Sequence, residues 1–430
     1  MRTTVITTIV TFALALGAFA LLRSGGDATP AAPAATLGSE VPAASTPQKI
    51  ARLQAAVRAD ADSPVLYAGL ASAYLQRVRE TGDVSFYARA GAALARGLRA
   101  GPGEPALLAT RGVLRLARHD FRGALADGLA ARRAAPDVVK PLGVLVDANV
   151  ELGRYREAAR VLQEMVDRKP NADAYARVSY LRELTGDLAG AREALGYAAS
   201  AGGEAAENAA YVRTLIGNLE LQRGREAAAR VAYREALARV PGYVPARAGL
   251  ARVTAAAGRL DAAARMLRAV VARRPLPEYA VALGEIELAA GHRVAARRDL
   301  ALVGVESRLL SQAGVNTDVE LALYEADHGD RARGVQLARA AWANAPSVRS
   351  ADALGWAFTR AGNPGEGLRW ARRALRLGSR DPMFLFHAGM AAKAAGHRAE
   401  AARRLRAALD GRPHFNPLYA PQARRALEEL

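Results

Sequence analysis

The sequence contains no cysteine among its 430 residues, and this absence removes several classes of chemistry. Without thiols the chain forms no disulfide, holds no iron–sulfur cluster or thiolate-bound zinc, and uses no cysteine nucleophile. Aromatic residues are also few, at 6%, whereas 51% of residues are hydrophobic, so the expected core consists of small aliphatic side chains. Only four of the 60 basic residues are lysines. The formal net charge is nevertheless +18, which makes a polyanionic partner a hypothesis to test.

Motifs that carry catalysis are also missing. The sequence has no Gly-x-x-x-x-Gly-Lys phosphate loop, no His-Glu-x-x-His and no Gly-x-Ser-x-Gly elbow. Four of the six histidines, namely His119, His292, His328 and His397, fall at or beside predicted turns, where we expect them to be exposed to solvent and too far apart to share one metal. We therefore predict a protein that is not an enzyme, with no cofactor, no metal site and no small-molecule substrate.

The first 46 residues differ in composition from the rest. An uncharged, mainly apolar run of 18 residues extends from Val5 to Leu22. A spanning helix needs about 17–25 residues and a signal-peptide core about 7–15, so the length favours a single-pass anchor at residues 1–23. The small residues Ala18 and Ala20 leave a cleaved signal peptide as the alternative. Residues 24–46 are rich in alanine, proline and glycine, which predicts a flexible tether.

These two segments predict where the rest of the chain resides. An anchor would place the protein in the cell membrane with residues 47–430 on the extracytoplasmic side, whereas cleavage would release them as a secreted protein. The mature N-terminus, at Met1 or near Leu21, distinguishes the two.

A period of about 34 residues governs the remainder. Alanine, leucine, arginine and glutamate dominate after residue 46, which predicts helices and no strands. Glycines recur at intervals of 33 to 38 residues, at Gly153, Gly186, Gly224, Gly258, Gly291, Gly329, Gly362 and Gly396. Prolines mark a second phase of the same period, as at Pro102, Pro136 and Pro170. A fixed period in this range indicates a solenoid of stacked helix pairs.

One unit shows the residue pattern on which a family resemblance depends. A small residue lies within the first helix, a glycine in the turn, two alanines and an aromatic residue in the second helix, and a proline at its end: Gly217, Gly224, Ala229, Tyr233, Ala236 and Pro241. In this pattern the sequence resembles the tetratricopeptide repeat family. The resemblance implies an all-α, right-handed superhelical solenoid of about ten helix-turn-helix units within residues 47–430, with a half-unit helix before them and a capping helix after. We expect the units to begin near residues 64, 105, 139, 172, 210, 244, 277, 315, 348 and 382.

Three departures from the repeat are expected to lie in loops. About seven extra residues near Arg79–Asp83 predict a long turn inside the first unit, and further extra residues lie at Ser200–Glu207 and around Glu306–Gly314. In solenoids such insertions often mark binding sites, although an inserted loop with no role is the commoner case.

The resemblance also implies a function. In this family the first helices line a concave groove that binds a protein or peptide, so we expect a scaffold with a polar to acidic groove and arginines on the outer second helices. The groove candidates are Asp147, Glu151, Tyr180, Glu183, Tyr211, Asn218, Glu285 and Trp356. Docking of the basic outer face on anionic lipid or another polyanion is the alternative, and nucleic acid is a less favoured partner.

Overall fold

The computed structural model describes residues 45–201 and 206–430. Every regular element in these two ranges is an α-helix. The anchor predicted at residues 1–23, and nearly all of the tether predicted at 24–46, lie outside the described residues. No helix in the described ranges is both long and apolar enough to cross a membrane.

The helices form ten consecutive pairs, which we number as units 1 to 10. The pairs are α2 (Pro64–Thr81) with α3 (Ser85–Ala100), α4 (Pro105–Ala117) with α5 (Phe121–Ala134), α6 (Lys140–Glu151) with α7 (Tyr155–Arg168), α8 (Ala172–Leu184) with α9 (Leu188–Ala201), α10 (Ala206–Gln222) with α11 (Glu226–Arg239), α12 (Val244–Ala256) with α13 (Leu260–Arg273), α14 (Pro277–Ala289) with α15 (Arg293–Gln312), α16 (Asp318–His328) with α17 (Arg331–Asn344), α18 (Val348–Arg360) with α19 (Pro364–Ala374), and α20 (Pro382–Ala394) with α21 (Arg398–Leu409). Helix α1 (Thr46–Ala59) precedes the pairs and α22 (Tyr419–Glu428) follows them.

Each pair is built from local signals that the sequence carries. In unit 6, Pro245 lies in the first turn of α12, where its missing N–H leaves no hydrogen bond unmade. Gly258 follows α12 at φ 76°, a left-handed conformation that glycine adopts without the steric cost of a Cβ. Helix α13 then buries Ala263, Ala264 and Leu267 against its neighbours. The predicted helix pairs and turn glycines are confirmed here.

The extra residues of units 1 and 7 do not form loops. They lengthen α2 to 18 residues and α15 to 20 residues, so the long turn predicted in unit 1 is wrong. Gly82 ends α2 at φ 76°, and α3 begins three residues later. The side chain of Ser45 caps the first helix by accepting a hydrogen bond from the backbone N–H of Gln48.

The solenoid contacts itself along a seam that the repeat pattern did not predict. In each of units 1 to 5, the turn between the two helices contacts the loop that follows a unit five places later in the chain. The turn of unit 1 thus meets the loop after unit 6, and the turn of unit 5 meets the loop after unit 10. Hydrogen bonds join Arg274 Nη1 to the Arg79 carbonyl (3.2 Å), the Asn316 N–H to the Arg118 carbonyl (3.1 Å), the Val348 N–H to Tyr155 Oη (2.8 Å), and Arg412 Nη1 to the Gln222 carbonyl (3.3 Å). Units 1–5 and units 6–10 therefore stack as two successive superhelical turns, and their inner surface is closed by their own packing.

Candidate functional site: the first-helix surface

All eight groove candidates lie on first helices. Seven of them are buried and Glu183 is half-buried. They belong to α6 (Asp147, Glu151), α8 (Tyr180, Glu183), α10 (Tyr211, Asn218), α14 (Glu285) and α18 (Trp356). Burial raises the pKa of the Tyr180 and Tyr211 hydroxyls well above the usual value for tyrosine. In the stacked state, these side chains contact other parts of the chain and present little surface to a partner.

Asp147 belongs to a buried ion cluster centred on Arg177. Arg177 donates from Nε and Nη2 to the two oxygens of Asp147, both at 2.8 Å, and from Nη1 to Asp173 Oδ1 at 2.8 Å. The guanidinium is 1% exposed. Burial raises the pKa of Asp147 to about 6, although Arg177 opposes that shift. The planar guanidinium matches two carboxylates at once, so it fixes α6 against α8.

A second cluster connects the two superhelical turns. Arg349, at the start of α18, lies 3.6 Å from Glu151 Oε2 in unit 3 and 3.3 Å from Glu320 Oε1 in unit 8. Burial raises the pKa of Glu151, and Arg349 opposes this shift. Glu151 and Arg349 belong to different superhelical turns. This ion pair therefore connects the two superhelical turns on their inner surface.

Glu285 and Trp356 belong to a third cluster, in which Tyr419 and Asp327 connect them. Asp327 accepts a hydrogen bond from Trp356 Nε1 at 3.0 Å and pairs with Arg360 Nε at 2.9 Å. Tyr419, on the capping helix α22, donates from its hydroxyl to Asp327 Oδ2 at 2.9 Å and also lies 3.1 Å from Glu285 Oε1. The capping helix therefore reaches across the inner surface as far as unit 7.

Asn218 is held between neighbouring units. Its side-chain oxygen accepts from Tyr233 Oη at 2.7 Å and from Arg252 Nη2 at 2.9 Å. Tyr233 itself is fully buried against Gly217 and Gly249, whose added Cβ atoms would overlap its ring. This arrangement gives Asn218 a structural role in the stacked state.

The side chains that pair with these residues were not predicted from the sequence. Their separation along the sequence could have indicated the pairs. Side chains separated by about one repeat lie on the same face of adjacent first helices, and the polar contacts form between them. Such separations join Asp147 to Arg177 (30 residues), Asn218 to Arg252 (34), Asp327 to Trp356 (29) and Asp352 to His387 (35). The interior is therefore a paired network and not a bare acidic groove.

Two of the turn histidines are less exposed than predicted. His119 is buried at the seam, where its Nδ1 lies 2.5 Å from the Asn316 carbonyl, and the His119 carbonyl accepts from Asn344 Nδ2 at 3.2 Å. His328 Nε2 lies 3.3 Å from Glu285 Oε1. The solvent-exposed placement expected for these two histidines is wrong, because packing between the superhelical turns covers His119 and the neighbouring unit 7 contacts His328. Within the described residues, no group of three potential ligands could hold a metal ion.

Glu278 and Glu306, on α14 and α15, are buried acids with no ion pair to a basic residue among the described side chains. Burial raises the pKa of Glu306 to about 8, with the Glu278 carboxyl adding to the shift, and raises the pKa of Glu278 to about 7. Each pKa in the folded state lies above the ordinary value of 4.5, so the unfolded chain loses these protons first. Their contribution to stability is present below about pH 4.5 and is lost as the pH rises towards about 8.

We predict that Glu306→Gln makes the protein less sensitive to alkaline pH. Glutamine keeps the shape of the protonated acid and cannot ionise, so the free energy of unfolding should fall less between pH 5 and pH 8.5 than it does in the wild type. Urea unfolding at several pH values in this range measures the difference, with the exposed residue Glu428 changed to glutamine as the control. An unchanged pH slope in Glu306→Gln would contradict the assignment.

Comparison with known families decides what the repeated pairs are. Residues 220–298, which extend from the end of α10 into α15, match the family model described as tetratricopeptide repeat. The chain contains tetratricopeptide repeats. The repeat fold is consistent with a protein–protein interaction scaffold, and repeats of this family generally carry no catalytic activity. No curated protein matches the sequence.

Solved structures that contain chains similar to this one include the following three. The Cut9-Hcn1 hetero-tetramer of the APC/C shares 14% identity over 89% of this chain and 93% of its own, with a TM-score of 0.38. The human IFIT1 dimer with PPP-AAAA shares 17% identity over 77% of this chain and 78% of its own, with a TM-score of 0.49. A tetratricopeptide repeat protein from Parabacteroides merdae shares 16% identity over 56% of this chain and 98% of its own, with a TM-score of 0.41.

Proposed function

We propose that the protein is a non-catalytic scaffold that binds another polypeptide through the exposed face of α15. The observation that carries the proposal is a row of large apolar side chains on this face, namely Val294, Leu302, Val305 and Leu309. They are 37% to 74% exposed, and they make up four of the nine exposed large hydrophobic residues among the described residues. Exposed apolar side chains gathered on one side of a helix in this way mark interaction sites.

The geometry of the row fits a helical partner. Positions 294, 302, 305 and 309 fall on one side of a helix, because their separations are close to multiples of 3.6 residues. The row extends over about 22 Å, or about four helical turns, at 1.5 Å per residue. It lies on the helix that the extra residues near 306–314 lengthen to 20 residues. An amphipathic helix laid along such a row buries its own apolar face.

Charge defines the partner further. Three exposed arginines, Arg297, Arg298 and Arg308, accompany the apolar row, whereas the two acidic residues of α15, Asp299 and Glu306, are buried. The exposed face of α15 therefore presents positive charge beside apolar surface. We propose a partner helix with an apolar stripe flanked by aspartate or glutamate, since charge complementarity both steers and selects partners.

Binding in the concave groove remains a prediction that needs a further step. Tyr180 and Tyr211 are buried in the stacked state, so a partner would reach them only if units 1–5 separated from units 6–10. Truncating either tyrosine would also leave a cavity in the core, and lost binding would then have two explanations. The face of α15 is accessible without that rearrangement, which favours it as the partner surface.

Fluorescence anisotropy of two designed helical peptides tests the proposal on the full chain. Both peptides carry the same leucine stripe, flanked by glutamate in one and by lysine in the other. We expect the acidic peptide to bind at least about tenfold more tightly. Val305→Glu with Leu309→Glu should abolish this preference, whereas Val231→Glu, at an exposed position on α11, should preserve it. Equal binding of the two peptides, or full binding by the α15 variant with a normal circular dichroism melt, would overturn the proposal.

We also propose that the scaffold is held at, or exported across, the cell membrane. The proposal depends on the uncharged run from Val5 to Leu22 and the tether that follows it. Sequencing of the mature N-terminus tests it, since a start at Met1 supports an anchor and a start near Leu21 supports export. Recovery of the intact chain in the cytoplasmic fraction would contradict both.

Docking on anionic lipid through the outer face is the second candidate. It is favoured by exposed arginines on second helices, such as Arg160 and Arg369. Many of these arginines pair with a neighbouring acid, as Arg160 does with Glu157 and Arg372 with Glu400, which lowers the charge offered to a membrane. Co-sedimentation with vesicles containing phosphatidylserine, at low and high salt, tests this candidate, and absence of binding at low salt would remove it.

A further inference from the structure

A cavity of about 380 Å³ opens at the seam where unit 5 meets the end of unit 10. Its wall is formed by the inter-helix turns of units 4 and 5 on one side and by the loops flanking α20 and α21 on the other. The lining residues are Gly186, Asp187, Leu188, Ala189, Arg223, Arg225, Arg380, Asp410 and Arg412. A volume of this size is within the range of small-molecule sites.

The charge of the wall is positive. Four guanidinium groups face the cavity together with two carboxylates, Asp187 and Asp410. Asp187 also accepts a hydrogen bond from the Gly190 N–H at 2.8 Å and lies 3.8 Å from Arg182 Nε, so its charge is shared with groups outside the cavity.

A neighbouring carboxylate does not remove this excess. Glu220, which is buried, lies 3.3 Å from Arg223 Nη1 and 3.9 Å from Arg225 Nε. It also accepts from Arg192 Nε at 2.9 Å, so three arginines share one negative charge. The cavity therefore has unbalanced positive charge available for an anion.

Arg412 is the group that points most directly to a ligand. It is 7% exposed and forms no ion pair with a carboxylate within the described part of the chain. Nη1 donates to the Arg380 carbonyl at 2.6 Å and Nη2 to the Ala407 carbonyl at 2.6 Å, while Nε has no hydrogen-bond partner among the described atoms. Burial lowers the pKa of Arg412. A buried cation with no carboxylate within ion-pair distance is unfavourable, and a bound anion would offset that cost.

We propose that this cavity binds a small molecule bearing phosphate groups. Guanidinium groups bind phosphate with paired N–H donors, and several of them together suit a ligand that carries two or more negative charges. Arg223 and Arg225 come from unit 5, whereas Arg380 and Arg412 come from the loops of units 9 and 10. The ligand therefore bridges the two superhelical turns and binds only when they are stacked. This inference is independent of the α15 proposal.

Isothermal titration calorimetry on the full chain tests the site, with pyrophosphate and inorganic phosphate as probes at constant ionic strength. We expect pyrophosphate to bind with a Kd below about 1 mM and to raise Tm in proportion to the logarithm of its concentration, because it binds the folded state alone. Phosphate should bind more weakly, since it carries fewer charges. Chloride at the same ionic strength should not raise Tm, and an equal rise with chloride would reduce the effect to screening and overturn the proposal.

Matched variants separate the site from its surroundings. Arg225→Gln with Arg380→Gln changes two exposed side chains of the wall and should weaken pyrophosphate binding at least about tenfold. Arg259→Gln is the control, because Arg259 follows Gly258 as Arg225 follows Gly224, and the space beside Gly258 is open. No binding by the wild type at 1 mM probe, or equal affinity in the double variant and the control, would overturn the proposal.

Discussion

Replacing Arg177 by methionine is expected to lower the free energy of unfolding by about 3–5 kcal/mol. Methionine fills much of the same volume, so the loss comes from the carboxylates of Asp147 and Asp173, which would remain buried without the cation that lies 2.8 Å from each of them. Chemical denaturation at neutral pH, monitored by circular dichroism, measures the change.

Two further variants distinguish this explanation from a general effect of losing arginine. Arg160→Met removes an exposed guanidinium that pairs with Glu157 within one helix, and it should leave stability close to that of the wild type. Arg177→Met combined with Asp147→Asn removes one of the stranded charges and should recover part of the loss. A loss in Arg177→Met no larger than in Arg160→Met would show that the buried cluster contributes little to stability.

The repeat period accounts for how well the helix pairs could be predicted. Turn glycines such as Gly258 and helix-starting prolines such as Pro245 act within one unit, so their spacing is visible in the sequence, and eight of the ten unit starts lie within one residue of the expected position. The other two starts, Ala206 (expected near 210) and Asp318 (expected near 315), lie beside segments with extra residues that shift the repeat locally.

The seam could not be predicted in the same way. Each of its contacts joins residues that are about 190 positions apart, as Tyr155 and Val348 are, and their meeting depends on the rotation accumulated over five units. A small change in the angle between successive units would displace the second superhelical turn by several ångströms. The sequence shows no local pattern for such an angle, so the groove was expected to be open.

Closure of the inner surface changes where recognition can occur. The polar side chains expected to bind a partner instead bind each other, as Glu151 and Arg349 do across the seam. What is accessible in the stacked state is the outer face, where α15 differs from the other second helices in length and in its apolar row. The insertion near residues 306–314 therefore belongs to the helix that we propose as the partner surface.

Replacing a glycine of the seam by alanine is expected to lower the free energy of unfolding strongly. A matched pair of variants isolates the part of this loss that comes from contact across the seam. Gly224 and Gly258 occupy the same position in consecutive units, with φ values of 74° and 76°, so changing either to alanine carries a similar backbone cost of about 1–2 kcal/mol. A Cβ on Gly224 would overlap the carbonyl oxygen of Gly411 across the seam, whereas a Cβ on Gly258 would meet no atom within 4 Å. We expect Gly224→Ala to lose about 1–3 kcal/mol more than Gly258→Ala in denaturant unfolding. Gly153→Ala should behave like Gly224→Ala, since its Cβ would overlap the Pro346 carbonyl. Equal losses at Gly224 and Gly258 would mean that the two superhelical turns are not stacked in solution.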